Sequence, residues 1–259
     1  MRLAFSEAGP RDAPVVVLLH SLGTDGRIWF GQVTALEDGH HVLIPDTRGH
    51  GRSAGGETAD LDAWVADLRD LLDAAAVDRA SLVGLSMGGV QALAFAARHA
   101  DRVDSLLLAD TFAQLPPDIA AAKIDQLGGQ VRELGMPAMA EAYVRDTFTQ
   151  KPLPESAAVV RNAIANMSPD AYLAAVRACF SARLDDELEH VQAPALVAWG
   201  TRDAKAPRSL SDALVAGLPS ARLAEIPAAG HLSPLENPAG FNALMLDWLA
   251  ERSAVGGPR

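Results

Sequence analysis

Ser81-Leu82-Val83-Gly84-Leu85-Ser86-Met87-Gly88-Gly89 joins an apolar run to a helical one. A G-x-S-x-G pattern by itself is weak. Here a strand-like run precedes it and the helical stretch Val90-Gln91-Ala92-Leu93-Ala94-Phe95 follows. That context predicts a sharp strand–helix turn with Ser86 at its tip. Gly84 and Gly88 stand two residues to either side, where a side chain would collide with the turn. The start of the following helix favours negative charge developing beside the serine.

The pattern extends outward in both directions. Short apolar runs at 15–20, 42–45, 80–85, 103–109, 195–199 and 223–227 alternate with helical stretches such as 61–75 and 88–99. This predicts an α/β chain with a mostly parallel central sheet flanked by helices. Several runs are apolar throughout, as in strands covered on both faces. Asn237-Pro238 opens a last helix. The alternation stops between 113 and 189, where alanine-rich amphipathic pieces are divided by Gly128-Gly129, Pro137, Pro152 and Pro154. Residues 1–112 and 190–259 are therefore expected to form one core, with 113–189 as a helical cap. The small residues of 253–259 predict a frayed end.

The 259 residues include 49% hydrophobic and 21% charged side chains, a globular composition. The formal charge of −11 disfavours nucleic acid and anionic membranes as partners. A single cysteine, Cys179, excludes an intrachain disulfide and reads as a packing residue. An N-terminus without an apolar leader and the lack of a membrane-length run predict a cytoplasmic protein. No Cys/His cluster suggests a metal, and no GxGxxG opens the first βα unit, so no cofactor is expected.

A serine hydroxyl needs a base to become a nucleophile. His231, in Ala228-Ala229-Gly230-His231, follows the last apolar run and comes late in the chain. It satisfies the order serine, acid, histidine. His40 and His41 read as exposed residues ahead of a strand, and His99 as a helix-end residue. The acid is expected to be Asp203, after the run ending Trp199-Gly200, with Asp110, after Leu106-Leu107-Leu108-Ala109, as its rival. The oxyanion donors are expected to be the backbone N–H groups of Met87 and Leu22, the latter in His20-Ser21-Leu22-Gly23. His20 reads as a brace for that loop. Asp46-Thr47-Arg48-Gly49-His50-Gly51-Arg52-Ser53 reads as bracing for a tight turn, with phosphate contact as the alternative.

Taken together, His20-Ser21-Leu22-Gly23-Thr24-Asp25, Trp29, Asp46 to Gly51, Gly84 to Gly89, Asp203 and Gly230-His231 resemble the 3-oxoadipate enol-lactonase branch of the α/β-hydrolase superfamily. The resemblance implies an α/β-hydrolase fold with a helical cap. It also implies a small-molecule ester or lactone substrate, cleaved through an acyl-enzyme without a cofactor. Such a lactone bears a free carboxylate, so a cation should face it; the cap offers Lys123, Arg132, Arg145, Arg161, Arg177 and Arg183. Met136, Met139 and Met167 read as packing. The same three residues serve C–C bond hydrolysis, cofactor-free perhydrolysis and acyl transfer in this superfamily, and survive in some small-molecule receptors.

Overall fold

A computed structural model describes residues 2–53, 55 and 58–256. Seven strands form one sheet: β1 (Phe5–Ala8), β2 (Val15–Leu19), β3 (His41–Pro45), β4 (Ala80–Leu85), β5 (Val103–Ala109), β6 (Ala195–Gly200) and β7 (Ala221–Ile226). Their order is β1-β3-β2-β4-β5-β6-β7. Only β1 is antiparallel to its neighbour. The helices are α1 (Phe30–Leu36), α2 (Leu61–Ala74), α3 (Met87–Arg98), α4 (Pro117–Thr147), α5 (Pro154–Ala165), α6 (Pro169–Phe180), α7 (Arg208–Gly217), α8 (Ser233–Glu236) and α9 (Pro238–Gly256).

Alternation within β2 shows why the strands are apolar on both faces. Val17 and Leu19 pack with Leu68 of α2 and Leu93 of α3. Val16 and Leu18 pack on the other face with Leu36 of α1 and Phe241 of α9. The chain leaves β2 for β3 on one side, then crosses to β4 on the other. Neighbouring loops diverge at such a switch point and leave a crevice at the carboxyl ends of the strands. The register Leu19↔Gly84 sets the loop after β2 directly beside the serine turn after β4.

Helices α4 to α6 lie between β5 and β6 in sequence. The interval holds no strand among the described residues, only the isolated bridge Gln114↔Arg183 across its two ends. Val131, Met136, Val160, Ile164 and Val176 of these helices share a hydrophobic cluster with β2 and β4. The helices are thus packed onto the sheet and do not stand apart from it.

Four expectations need correction. β1 escapes the apolar pattern because it is a four-residue edge strand, half exposed. The same strand covers His41, expected to be exposed: it opens β3 and is buried, with Nε2 3.6 Å from Glu7 of β1. Gly128-Gly129 does not divide the cap, because α4 runs through it; Gly128 is buried, with Leu173 of α6 beside it. The break falls at Gly135, at φ 70°, ahead of Pro137, which lacks an N–H and disfavours helix before it. Finally, α9 runs to Gly256, so backbone at 253–256 is helical; 257–259 lie outside the described residues.

Candidate active site

Ser86 sits at φ 53°, ψ −114°, a left-handed conformation that costs a side-chain-bearing residue about 1–3 kcal/mol. The surroundings enforce it. Ser86 N–H donates to Ala109 O at 2.9 Å, and Thr111 Oγ1 donates to Ser86 O at 2.6 Å. A Cβ on Gly84 would lie 2.4 Å from Gly88 O, and one on Gly88 would lie 2.2 Å from Leu19 O. Both contacts are backbone and cannot yield, so the turn closes only with glycine at each position.

Ser86, His231 and Asp203 form one hydrogen-bonded line. His231 Nε2 is 3.0 Å from Ser86 Oγ, and His231 Nδ1 is 2.8 Å from Asp203 Oδ2. Asp203 is acceptor-only when ionised, so Nδ1 carries the proton and Nε2 is left to accept from the serine. Asp203 Oδ1 accepts from the N–H groups of Lys205 at 2.7 Å and Ala206 at 3.1 Å. The carboxylate is thereby held from both sides, with the three side chains nearly excluded from solvent.

Asp110 stands outside this line. Its Oδ1 accepts Gly200 N–H at 2.7 Å, and it makes no hydrogen bond to His231. Asp110 and Asp203 end adjacent parallel strands, so sequence order alone does not separate them.

Met87 opens α3, so its N–H is one of the donors a helix start leaves unpaired. Leu22 lines the same cavity as Ser86 and His231. The residues around Leu22 are fixed by the two motif histidines. His20 Nδ1–H donates to Ser21 O at 2.9 Å, and its Nε2 accepts Thr47 N–H at 2.9 Å. His50 Nδ1–H donates to Arg48 O at 3.2 Å, and its Nε2 accepts Gly23 N–H at 3.1 Å. Each ring uses one nitrogen as donor and one as acceptor, which only a neutral imidazole can do. The rest of the 46–53 motif is spent on similar ties. Asp46 accepts from Gly26 N–H and from Arg52, and Arg48 makes a two-bond clamp on Asp67 of α2.

Burial, then the neighbouring His20, pushes His50 from the ordinary 6.5 down to about 3. The folded chain therefore keeps His50 neutral where the unfolded chain protonates it, and acid below 6.5 favours unfolding. Between about pH 4.5 and 6, wild-type stability should fall more steeply than that of His50→Gln, by about 1.4 kcal/mol per pH unit. Denaturant titrations at several pH values measure the two slopes. Parallel slopes would mean that His50 takes up its proton in the folded state.

The line opens on a cavity of about 200 Å³, walled by Phe112, Leu115, Leu127 and Phe180 among others. Of the six cap cations, Lys123 lines it. Arg145 instead pairs with Asp146, and Arg161 with Glu141. A second cation, Lys205, comes from the core. It was legible only as the second residue after Asp203, on the loop that delivers the acid. Met139 and Cys179 are packed as expected but also touch the cavity; burial raises the Cys179 thiol to about 12. No described helix is long and apolar enough to cross a membrane.

Comparison with known proteins agrees with this architecture. A family model described as the alpha/beta hydrolase fold matches residues 14–238. The crystal structure of the enol-lactonase from Burkholderia xenovorans LB400 aligns with a TM-score of 0.87 at 33% identity, covering 96% of each chain. The 3-oxoadipate enol-lactonase 1 of Acinetobacter baylyi is 29% identical over 90% of this chain and 87% of its own. A Variovorax paradoxus protein named "Putative carbamate hydrolase RutD" is 33% identical over the full length of both chains. The chain belongs to the α/β-hydrolase fold family, and within it resembles the enol-lactonases as well as the proteins named carbamate hydrolases.

Proposed function

We propose that this hydrolase cleaves a carboxylic ester or lactone through an acyl-enzyme on Ser86. The observation that carries the reading is the hydrogen-bonded line from Asp203 through His231 to Ser86, ending at a cavity. Ser86 Oγ attacks the acyl carbon while His231 Nε2 takes its proton. Asp203 holds the ring and offsets the imidazolium charge. The N–H groups of Met87 and Leu22 receive the oxyanion. His231 then protonates the departing oxygen, activates water, and returns the serine proton as the acid leaves.

The cavity narrows the substrate class. Lys123 and Lys205 are two of the chain's three lysines, and both line it. Every ion pair among the described residues is made by arginine or histidine, so neither lysine has a carboxylate partner. Each ammonium lies over a ring, Lys123 over Phe180 and Lys205 over Tyr143. Burial, then Lys123, lowers the Lys205 ammonium below the ordinary lysine value. Asp203 and Asp146 act on Lys205 from a distance, but a largely apolar cavity with two lysines that no carboxylate contacts suits an acyl chain that ends in a carboxylate. The full-length similarity to proteins named carbamate hydrolases favours a second reading, in which the acyl group is a carbamoyl.

Steady-state assays on a monomethyl dicarboxylate, its uncharged methyl ester analogue, a γ-lactone, a carbamate and a β-diketone separate these readings. The half-ester should exceed the neutral ester in kcat/KM by roughly tenfold to hundredfold, the worth of one charge-assisted hydrogen bond. Lys123→Met should collapse that ratio and Lys123→Arg should retain it. Preference for the carbamate would select the second reading, and cleavage of the diketone alone would overturn both.

A further inference from the structure

Asp110 is a buried carboxyl that the reaction above does not use. It is 0% exposed, and at φ 50° it holds a left-handed backbone that favours Asn, Asp and Gly. Its backbone N–H donates to Ala198 O of β6 at 3.0 Å, and its Oδ1 accepts from Gly200 N–H. One residue thus ties the end of β5 to the turn that leads to Asp203. Gly200 in turn lies against Gly230, where a Cβ would meet Gly230 O at 2.6 Å. The loop carrying His231 therefore rests on the residue that Asp110 holds.

The second oxygen, Oδ2, is buried without a hydrogen bond. The Ser233 hydroxyl, two residues after His231, is equally buried and meets none of the usual hydrogen-bond geometries, but it lies near enough to the Asp110 carboxyl to favour its charged form. No cation pairs with Asp110 among the described residues. Burial, Asp203 and Glu236 oppose its charge, against the Gly200 N–H and the Ser233 hydroxyl, which favour it. A buried carboxylate with one well-formed backbone donor, a hydroxyl nearby, no paired cation and two acidic neighbours costs several kcal/mol and instead takes up a proton. Asp203 is also buried, but its charge is met: His231 and two backbone N–H groups reach its oxygens.

We propose that Asp110 is a positioning residue that works as a neutral carboxylic acid. Its Oδ1 holds the turn carrying Asp203, and its Oδ2–H reaches the Ser233 hydroxyl beside His231. Burial, then Asp203, raises its carboxyl well above the ordinary carboxylate range, in the direction this role requires. The two acids at the adjacent strand ends are then divided between two protonation states. One is charged against His231, and the other is uncharged and structural. Loss of the Asp110 proton at alkaline pH would place a second negative charge beside Asp203 and spread the two loops.

Asp110→Asn tests this, because an amide reproduces a neutral acid: Oδ1 accepts, Nδ2–H donates, and asparagine tolerates φ 50°. The activity arm rests on the hydrolase reading; the infrared arm does not. Infrared spectra at neutral pH should show a protonated-carboxyl band that disappears in Asp110→Asn. Asp110→Asn should keep kcat within about threefold, while Asp110→Ala loses about tenfold or more, the range for an unsatisfied buried group. Any alkaline fall in wild-type kcat should be absent from Asp110→Asn. A missing infrared band overturns the proposal even in an inactive chain. So does an Asn variant as impaired as the Ala variant, or an alkaline limb unchanged by Asn. If Ser86 fails to react with a fluorophosphonate, the hydrolase reading fails, and the infrared result alone decides the role of Asp110.

Discussion

Ser86→Ala is expected to lower kcat for a short p-nitrophenyl ester by roughly 10⁶-fold, leaving only what binding and the oxyanion donors supply. At about 1.36 kcal/mol per decade, that is on the order of 8 kcal/mol of transition-state stabilisation. On the proposed mechanism the loss is this large because Ser86 Oγ forms the bond of the acyl-enzyme and nothing nearby replaces it. Cys179, the thiol that lines the cavity, is held protonated by burial, so it offers no bypass. Alanine at 86 leaves the His231–Asp203 hydrogen bond untouched. Thermal melting of the variant should therefore stay close to wild type, which separates lost chemistry from lost fold. A fluorophosphonate should add one phosphonyl group to the wild-type chain and none to the variant. Turnover by Ser86→Ala above about one per cent of wild type would rule out the serine mechanism.

Asp203→Asn comes next, with an expected loss of roughly 10⁴-fold in kcat at neutral pH. Asparagine fits the space, but its amide donates where the carboxylate accepted. His231 Nδ1 then becomes the acceptor, and the proton moves to Nε2, the nitrogen that faces Ser86. The imidazole is in place with the wrong tautomer, and the serine keeps its proton. Asp110 cannot repair this if it is neutral, since it too would lack the charge that stabilises an imidazolium. Rate measurements on Asp203→Asn and Asp110→Asn side by side decide between the two acids. A large loss in Asp110→Asn with a small loss in Asp203→Asn would reverse the assignment.

The division between the two aspartates marks where reading a chain in one dimension stops. Apolar runs give β2 to β6 to within a residue or so at each end, because strands buried on both faces must be apolar at every position. The serine turn is legible for a similar reason. Gly84 and Gly88 approach backbone atoms so closely that no other residue fits, and that constraint appears as spacing. His231 follows from chain order and from its place after the last strand. β1 is not legible, because a half-exposed edge strand needs little apolar character, and the burial of His41 beside it is not legible either. Gly128-Gly129 looks like a break because glycine costs a helix about 1 kcal/mol per residue; contact with α6 outweighs that local preference.

The sequence by itself determined the α/β layering, the serine at a strand–helix turn and the histidine that follows the last strand. Each depends on a local requirement: burial on two faces, backbone contact at a glycine, or position along the chain. Only the tertiary structure decided which aspartate meets His231, that Lys205 joins Lys123 at the cavity, and that Asp110 is buried with no paired cation among the described residues. These depend on the directions in which side chains leave adjacent strand ends and on what surrounds them there. Neither is carried by the spacing of residues along the chain.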